Sequence, residues 1–132
     1  MEHKLVDALI QAARDAREHA YAPYSNFKVG AAVLGESGEV YTGCNVENAS
    51  YGLTVCAERV AIQKAVSEGE RRISAVAIVA GENGIGRPCG ACLQVIKEFA
   101  VGADIPIITA SAGDGSHDIH SLGEYLPLPF EL

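Results

Sequence analysis

Two short stretches, Cys56-Ala57-Glu58 and Pro88-Cys89-Gly90-Ala91-Cys92, hold the residue types that bind and use a transition metal. Cys89 and Cys92 are spaced i,i+3, which puts their sulfurs on one face of a helix. All three cysteines fall near expected helix N-termini, where the backbone dipole favours a thiolate, and thiolates are what zinc binds. Three protein ligands with water in the fourth tetrahedral position make a catalytic zinc site, whereas four closed ligands make a structural one. Cys44 is the possible fourth ligand. The competing and favoured reading is a small apolar residue, because free cysteine is so often simply buried. Glu58 in the first turn of a helix would by itself be an ordinary helix-dipole residue. Beside Cys56, with Pro-Cys-x-x-Cys downstream, it reads instead as a carboxylate that takes a proton from a water near the metal and passes it on.

The elements that must position these groups follow from periodicity. Leu5, Leu9, Ala12, Ala13, Ala16 and Ala20 recur at helical spacing, with Lys4, Asp7, Gln11, Arg14 and Glu18 opposite, which predicts an amphipathic helix ended by Pro23. Residues 29–34 and 40–44, joined by Glu36-Ser37-Gly38-Glu39, read as a hairpin, and residues 45–54 show neither period and read as a loop. A second helix is expected over 55–68, with Gly69 at its C-terminal end. Residues 73–80 are an almost unbroken apolar run rich in β-branched side chains, the pattern of a central strand buried on both faces. A turn over 81–86, a third helix from Pro88-Cys89 to about Ala100 and a buried strand over 105–109 follow. His117 to Ile119 reads as an edge strand, and Ser121 as the cap of a last helical turn before Pro127-Leu128-Pro129. The sum is an α/β domain of about five strands covered by helices.

At 132 residues the chain has the size of one domain, spanning 1–132. With 48% apolar and 20% charged residues it can build a packed core and needs no metal merely to fold, so a bound metal works. Ten Lys plus Arg against 17 Asp plus Glu leave a net charge of −7, which repels polyanions. Arg71-Arg72 is the one adjacent basic pair, so neither a nucleic-acid groove nor a phosphate cluster is expected. The longest apolar run, 75–80, is too short to cross a bilayer, and Met1-Glu2-His3-Lys4 leads into a helical pattern rather than an apolar signal core. A cytoplasmic protein is expected, where four cysteines argue for metal binding or catalysis over disulfides.

Beyond the zinc motif, four stretches carry a family resemblance: Tyr24-Ser25-Asn26-Phe27-Lys28-Val29-Gly30-Ala31-Ala32, Gly43-Cys44-Asn45-Val46-Glu47-Asn48-Ala49-Ser50-Tyr51, Cys56-Ala57-Glu58-Arg59 and Leu126-Pro127-Leu128-Pro129-Phe130. With them the sequence resembles the short homotetrameric zinc-dependent cytidine deaminases over nearly its whole length. The resemblance implies hydrolytic deamination of cytidine and 2′-deoxycytidine to uridine and 2′-deoxyuridine, with release of ammonia, in pyrimidine salvage. It further implies a three-layer α-β-α sandwich with a mixed sheet, and one Zn²⁺ per chain on Cys56, Cys89 and Cys92 beside the catalytic Glu58. Asn45 and Glu47 would hold the ribose 3′-hydroxyl, Phe27 would lie against the pyrimidine, and the Ala57 amide would bind the base carbonyl. Phe130 and a residue like Tyr51 would reach into a neighbouring subunit's site.

Each of these roles has a plainer counterpart. Phe27 heads a strand and could be core, although its polar neighbours leave it as a single aromatic suited to line a pocket. Asn45 and Glu47 alternate in an extended segment and so point the same way, as a sugar site or a solvated loop face equally would. Phe130 would otherwise be a frayed end. His117 and His120 read as solvated surface. Two positions depart from the family pattern: Arg87 stands where a small residue is usual, and Leu93 follows Cys92 where Arg is common. Three thiolates on a divalent zinc leave a net −1, so Arg59 is expected to balance charge. Arg87 either supplies the second cation or lines the entrance.

Overall fold

Five strands, β1 (Val29–Gly35), β2 (Val40–Cys44), β3 (Ile73–Ala80), β4 (Pro106–Ala110) and β5 (His117–Ser121), join in one sheet ordered β2-β1-β3-β4-β5. The computed structural model describes residues 1–82 and 84–132; Asn83, within the turn expected over 81–86, lies outside the described residues. The sheet is mixed. β1 runs antiparallel to both β2 and β3, β3 runs parallel to β4, and β5 returns antiparallel along β4. As its apolar run predicts, β3 is the middle strand, and only Ser74 escapes full burial. Two connections must cross over between parallel strands. Helix α2 (Ala57–Ser67) spans from β2 to β3 and helix α3 (Gly90–Phe99) from β3 to β4.

Alternation along the strands sorts the core into two layers. Val33, Val76, Ile78 and Ile107 face α2, α3 and the short α4 (Leu122–Tyr125), meeting Ile62, Leu93, Ile96 and Leu122. Ala32, Ala77, Val79 and Ile108 face the other way, onto Val6, Leu9, Ile10 and Ala13 of helix α1 (His3–Arg17). The result is the expected three-layer sandwich. Two glycines set how closely the helices approach the hairpin. A Cβ at Gly30 would lie 1.9 Å from the Ala13 carbonyl oxygen of α1, and one at Gly43 would lie 2.5 Å from the Ala61 nitrogen of α2.

Three segments differ from the sequence expectation, each because backbone pairing with a distant stretch intervenes. Helix α1 stops at Arg17, short of Ala20 and well before Pro23. Just beyond it Tyr21 is drawn into an extended pairing, donating to the Asn45 carbonyl at 3.0 Å and accepting from the Glu47 amide at 2.9 Å. The segment 45–54 is accordingly not featureless: Val46 bridges Tyr21 on one side and Val55 on the other, and Tyr51–Leu53 form a 3-10 turn. That bridge also removes Val55 from α2, which starts at Ala57 with Cys56 as its N-cap. Elsewhere the elements start and end within two residues of expectation. Ser121 caps α4 in a reciprocal capping box with Glu124.

At the C-terminal ends of the parallel pair, the Ala112 amide donates to the Gly81 carbonyl at 2.8 Å and the Ser111 hydroxyl to the Glu82 carbonyl at 3.4 Å. These bonds tie the start of the 81–89 segment, which leads to Cys89, onto the β4–β5 connection. Among the described residues no helix is long and apolar enough to cross a membrane.

Candidate active site

Helices α2 and α3 both open on cysteine. Cys56 is the N-cap of α2, Cys89 is the N-cap of α3, and Cys92 sits in the first turn of α3. The crossovers bring these helix starts together, so the three sulfurs lie within 4.8 Å of one another. Cys89 Sγ is 3.3 Å from Cys92 Sγ and also accepts the Cys92 backbone N–H at 3.4 Å. Cys44 stays outside this cluster, in register with Gly30 in the hairpin. Cys44 is thus no part of the trio, as the favoured reading had it, but it is half-buried rather than buried.

The electrostatics of the trio suit a soft dication. A hydrogen bond from the Cys92 thiol, together with the Arg59 guanidinium 3.3 Å away, pulls the Cys56 thiol down to about 5. Cys92 is pushed up in return, because it holds the proton it gives to Cys56 and is itself buried. Adjacent sulfurs with one already anionic are a donor set that zinc fits, and three of them leave one tetrahedral position for water or substrate. Glu58, 4% exposed, is buried beside this cluster. Burial foremost, and then the Cys56 charge, raise its pKa above the ordinary carboxylate value. A carboxyl tuned upward next to a metal site is suited to accept and return protons near neutral pH.

The two charge-related departures resolve differently. Leu93 is 5% exposed and packs in the core layer with Ile96, where it contributes no charge. Arg87 lines the cavity, but its side chain turns away toward β5 and α4. It donates to the Tyr125 hydroxyl at 3.3 Å, stacks 5.9 Å from that ring's centroid and approaches Asp118 at 3.9 Å. Arg87 thus pairs with Tyr125 and Asp118 rather than with a cysteine sulfur. Arg59 is the guanidinium that touches a cysteine sulfur.

A cavity of about 280 Å³ opens over the cluster. Cys56, Ala57, Glu58 and Cys89 line it, together with Phe27, Asn45 and Glu47. Ala57 opens α2 behind Cys56, an N-cap that makes no side-chain cap hydrogen bond, so its N–H sits at a helix start suited to a ligand's acceptor. Asn45 and Glu47 point inward from either side of the exposed Val46, as their alternation predicts, and both also grip the chain ahead of β1. Asn45 Oδ1 accepts from the Val29 amide at 2.9 Å while its Nδ2 donates to the Phe27 carbonyl at 2.8 Å. Glu47 Oε1 accepts from the amides of Tyr24 and Ser25 at 2.9 and 3.1 Å, and Oε2 accepts the Ser25 hydroxyl. The sugar-site and loop-face readings are therefore not exclusive.

Tyr51 and Phe130 lie apart from the cavity within one chain. Tyr51, 78% exposed, meets Tyr24 edge to face at 6.4 Å between ring centroids. Phe130 exposes its ring, 70%, while the Gln94 side chain of α3 holds its backbone at both ends, donating to its carbonyl at 3.0 Å and accepting its amide at 3.3 Å. Sequence reasoning missed Gln94 and Ser25. Both act on residues distant in the chain, which no local pattern encodes.

A layered α/β fold whose crossover helices present cysteine thiolates and a buried carboxyl to one cavity defines a zinc-dependent hydrolytic enzyme. Residues 4–106 match the cytidine and deoxycytidylate deaminase zinc-binding region, and the chain belongs to that family, with zinc as its cofactor. The cytidine deaminase of Sporosarcina psychrophila is 52% identical over 109 residues, covering 83% of this chain and 80% of its own. That of Halalkalibacterium halodurans is 48% identical over 122 residues, covering 92% and 91%. Among solved structures, the cytidine deaminase from Burkholderia pseudomallei superposes with a TM-score of 0.89 at 47% identity, covering 98% of this chain and all of that one. The Mycobacterium tuberculosis cytidine deaminase gives 0.82 at 42% identity, covering 96% and 97%.

Proposed function

We propose that this protein deaminates cytidine and 2′-deoxycytidine hydrolytically, yielding uridine or 2′-deoxyuridine and ammonia. The observation that carries this reading is the buried Glu58 beside three converging thiols, at a cavity whose wall also offers Asn45, Glu47 and Phe27. That wall suits a nucleoside: an aromatic face for the pyrimidine, and hydrogen-bonding side chains for the sugar.

Zinc, when held by Cys56, Cys89 and Cys92, supplies a water acidified toward neutrality. Glu58 would accept a proton from the attacking water and deliver it to N3. It then carries the second proton to the N4 amino group; the C4–N4 bond breaks, ammonia leaves and the new C4 oxygen becomes the carbonyl. The Ala57 N–H holds the base carbonyl, and Asn45 and Glu47 hold the 3′-hydroxyl so that C4 stays over the reacting water.

2′,3′-Dideoxycytidine tests the sugar contacts, since it keeps the base and lacks only hydroxyls. Its kcat/KM is expected to fall roughly 10²-fold or more relative to deoxycytidine, because polar groups built for the hydroxyl are left unpaired. Equal rates on the two would confine Asn45 and Glu47 to holding the loop.

The active form we propose is a homotetramer in which Phe130 and Tyr51 complete neighbouring sites. The exposed Phe130 ring on a backbone fixed by Gln94 supports it, as a preorganised apolar anchor. Removing residues 130–132 should raise KM strongly and leave zinc in place; a fully active monomer by light scattering would refute the assembly. Four free cysteines suit a reducing cytoplasm, where we place the enzyme in pyrimidine salvage.

A further inference from the structure

Glu47 reaches the cavity with most of its hydrogen-bonding capacity already committed. An ionised carboxylate has about four lone-pair sites. The amides of Tyr24 and Ser25 occupy Oε1, and the Ser25 hydroxyl takes one site on Oε2. One acceptor site therefore remains, on Oε2.

The Ser25 hydroxyl is itself fully oriented. Its oxygen accepts the Phe27 amide at 3.0 Å, which directs its proton to Glu47. This arrangement depends on the turn between them, where Asn26 takes a left-handed conformation with φ of 57°. A single hydroxyl thus joins the backbone of Phe27 to the carboxylate of Glu47, and Ser25 lines the same cavity as both.

We propose that Ser25 is a positioning residue for sugar recognition: its hydroxyl, pinned by the Phe27 amide, fixes the Glu47 carboxylate so that its last free acceptor site meets the ribose 3′-hydroxyl. The inference rests on the reading of Glu47 as a sugar-binding residue. Ser25 makes no contact with the reacting atoms in this role and acts only through Glu47.

The test compares deoxycytidine with 2′,3′-dideoxycytidine in the zinc-loaded full chain and in Ser25→Ala, Ser25→Thr and Glu47→Ala. Ser25 is exposed, so neither substitution there threatens folding. In Ser25→Ala, KM for deoxycytidine should rise about tenfold, the scale of one lost hydrogen bond to a charged group, with kcat changed far less. The preference for deoxycytidine over the dideoxy compound should shrink by a similar factor, and Ser25→Thr should restore both. If Glu47→Ala collapses the preference while Ser25→Ala leaves it intact, Ser25 has no positioning role and the Glu47 reading stands. If Glu47→Ala leaves the preference intact, the sugar-binding reading falls, and the role of Ser25 with it.

Discussion

Arg59 donates a hydrogen bond to Cys56 Sγ across 3.3 Å, one turn along the same helix. With Leu93 contributing no charge and Arg87 turned toward Tyr125, this is the contact available to offset the negative charge of a three-thiolate centre. Arg59→Leu should lower kcat about tenfold, the scale of a lost charged hydrogen bond. Zinc content by atomic absorption should fall much less than kcat. An unchanged kcat would reduce Arg59 to a packing residue.

Glu58 combines near-complete burial with a raised pKa, and its proposed part is to move protons at N3 and N4. Glu58→Gln keeps the shape and removes the exchangeable carboxyl. Turnover should drop by roughly 10²–10⁴-fold or more while about one zinc per chain is retained, as steady-state rates and metal analysis on the same preparation would report. A variant within threefold of the parent in kcat would exclude proton transfer through this residue.

The three cysteines sit at the starts of two helices separated by all of β3, so a zinc ion held by them would tie α2 to α3. A metal bound only by the folded chain at ~1,000 times its dissociation constant adds ~4 kcal/mol of stability. Chelation should accordingly lower Tm by more than ~5 °C in a calorimetric scan, with recovery on adding zinc back. Identical Tm values would mean that the helix starts are held together without the ion.

Hydrogen bonds from the Ser25 hydroxyl first, and from the Tyr24 and Ser25 amides after it, hold the Glu47 carboxyl below the usual carboxylate range. A pKa lower in the folded than in the unfolded chain stabilises the fold above the unfolded value of about 4.3, and that gain is lost as pH falls through the folded value. Through this group KM should stay level from about pH 8 down to about pH 5, because Glu47 remains ionised throughout. A carbon-13 titration of its carboxyl carbon would check the assignment. A midpoint at or above the ordinary glutamate value would contradict the hydrogen-bond pattern around it.

Much of this architecture can be read from local pattern. The run 73–80 is apolar on both faces and became the central strand, and Cys56, Cys89 and Cys92 sit at the helix starts near which their sequence context places them. What sequence reading misplaced were segments ruled by distant backbone partners. Tyr21 leaves its helical pattern to pair with residues 45–47, and Val55 leaves α2 to pair with Val46. The site shows the same division. Residue types and spacing disclose the thiol trio and Glu58, while the Ser25–Glu47 and Gln94–Phe130 links join positions 22 and 36 residues apart that only tertiary folding brings together.

The contact between Gly30 and α1 bears on how this protein can change over generations. Gly30 follows Val29, whose amide Asn45 anchors, so the layer remote from the metal presses directly on the strand that frames the substrate wall. Any side chain at position 30 would collide with the Ala13 carbonyl and force α1 outward, costing roughly 1–3 kcal/mol or more and displacing the wall with it. A saturation library at this position should return glycine almost alone, whereas the solvent-facing positions of α1 should accept broad replacement. The helix that carries none of the chemistry is therefore free to drift on its outer surface and closed to change where it meets β1.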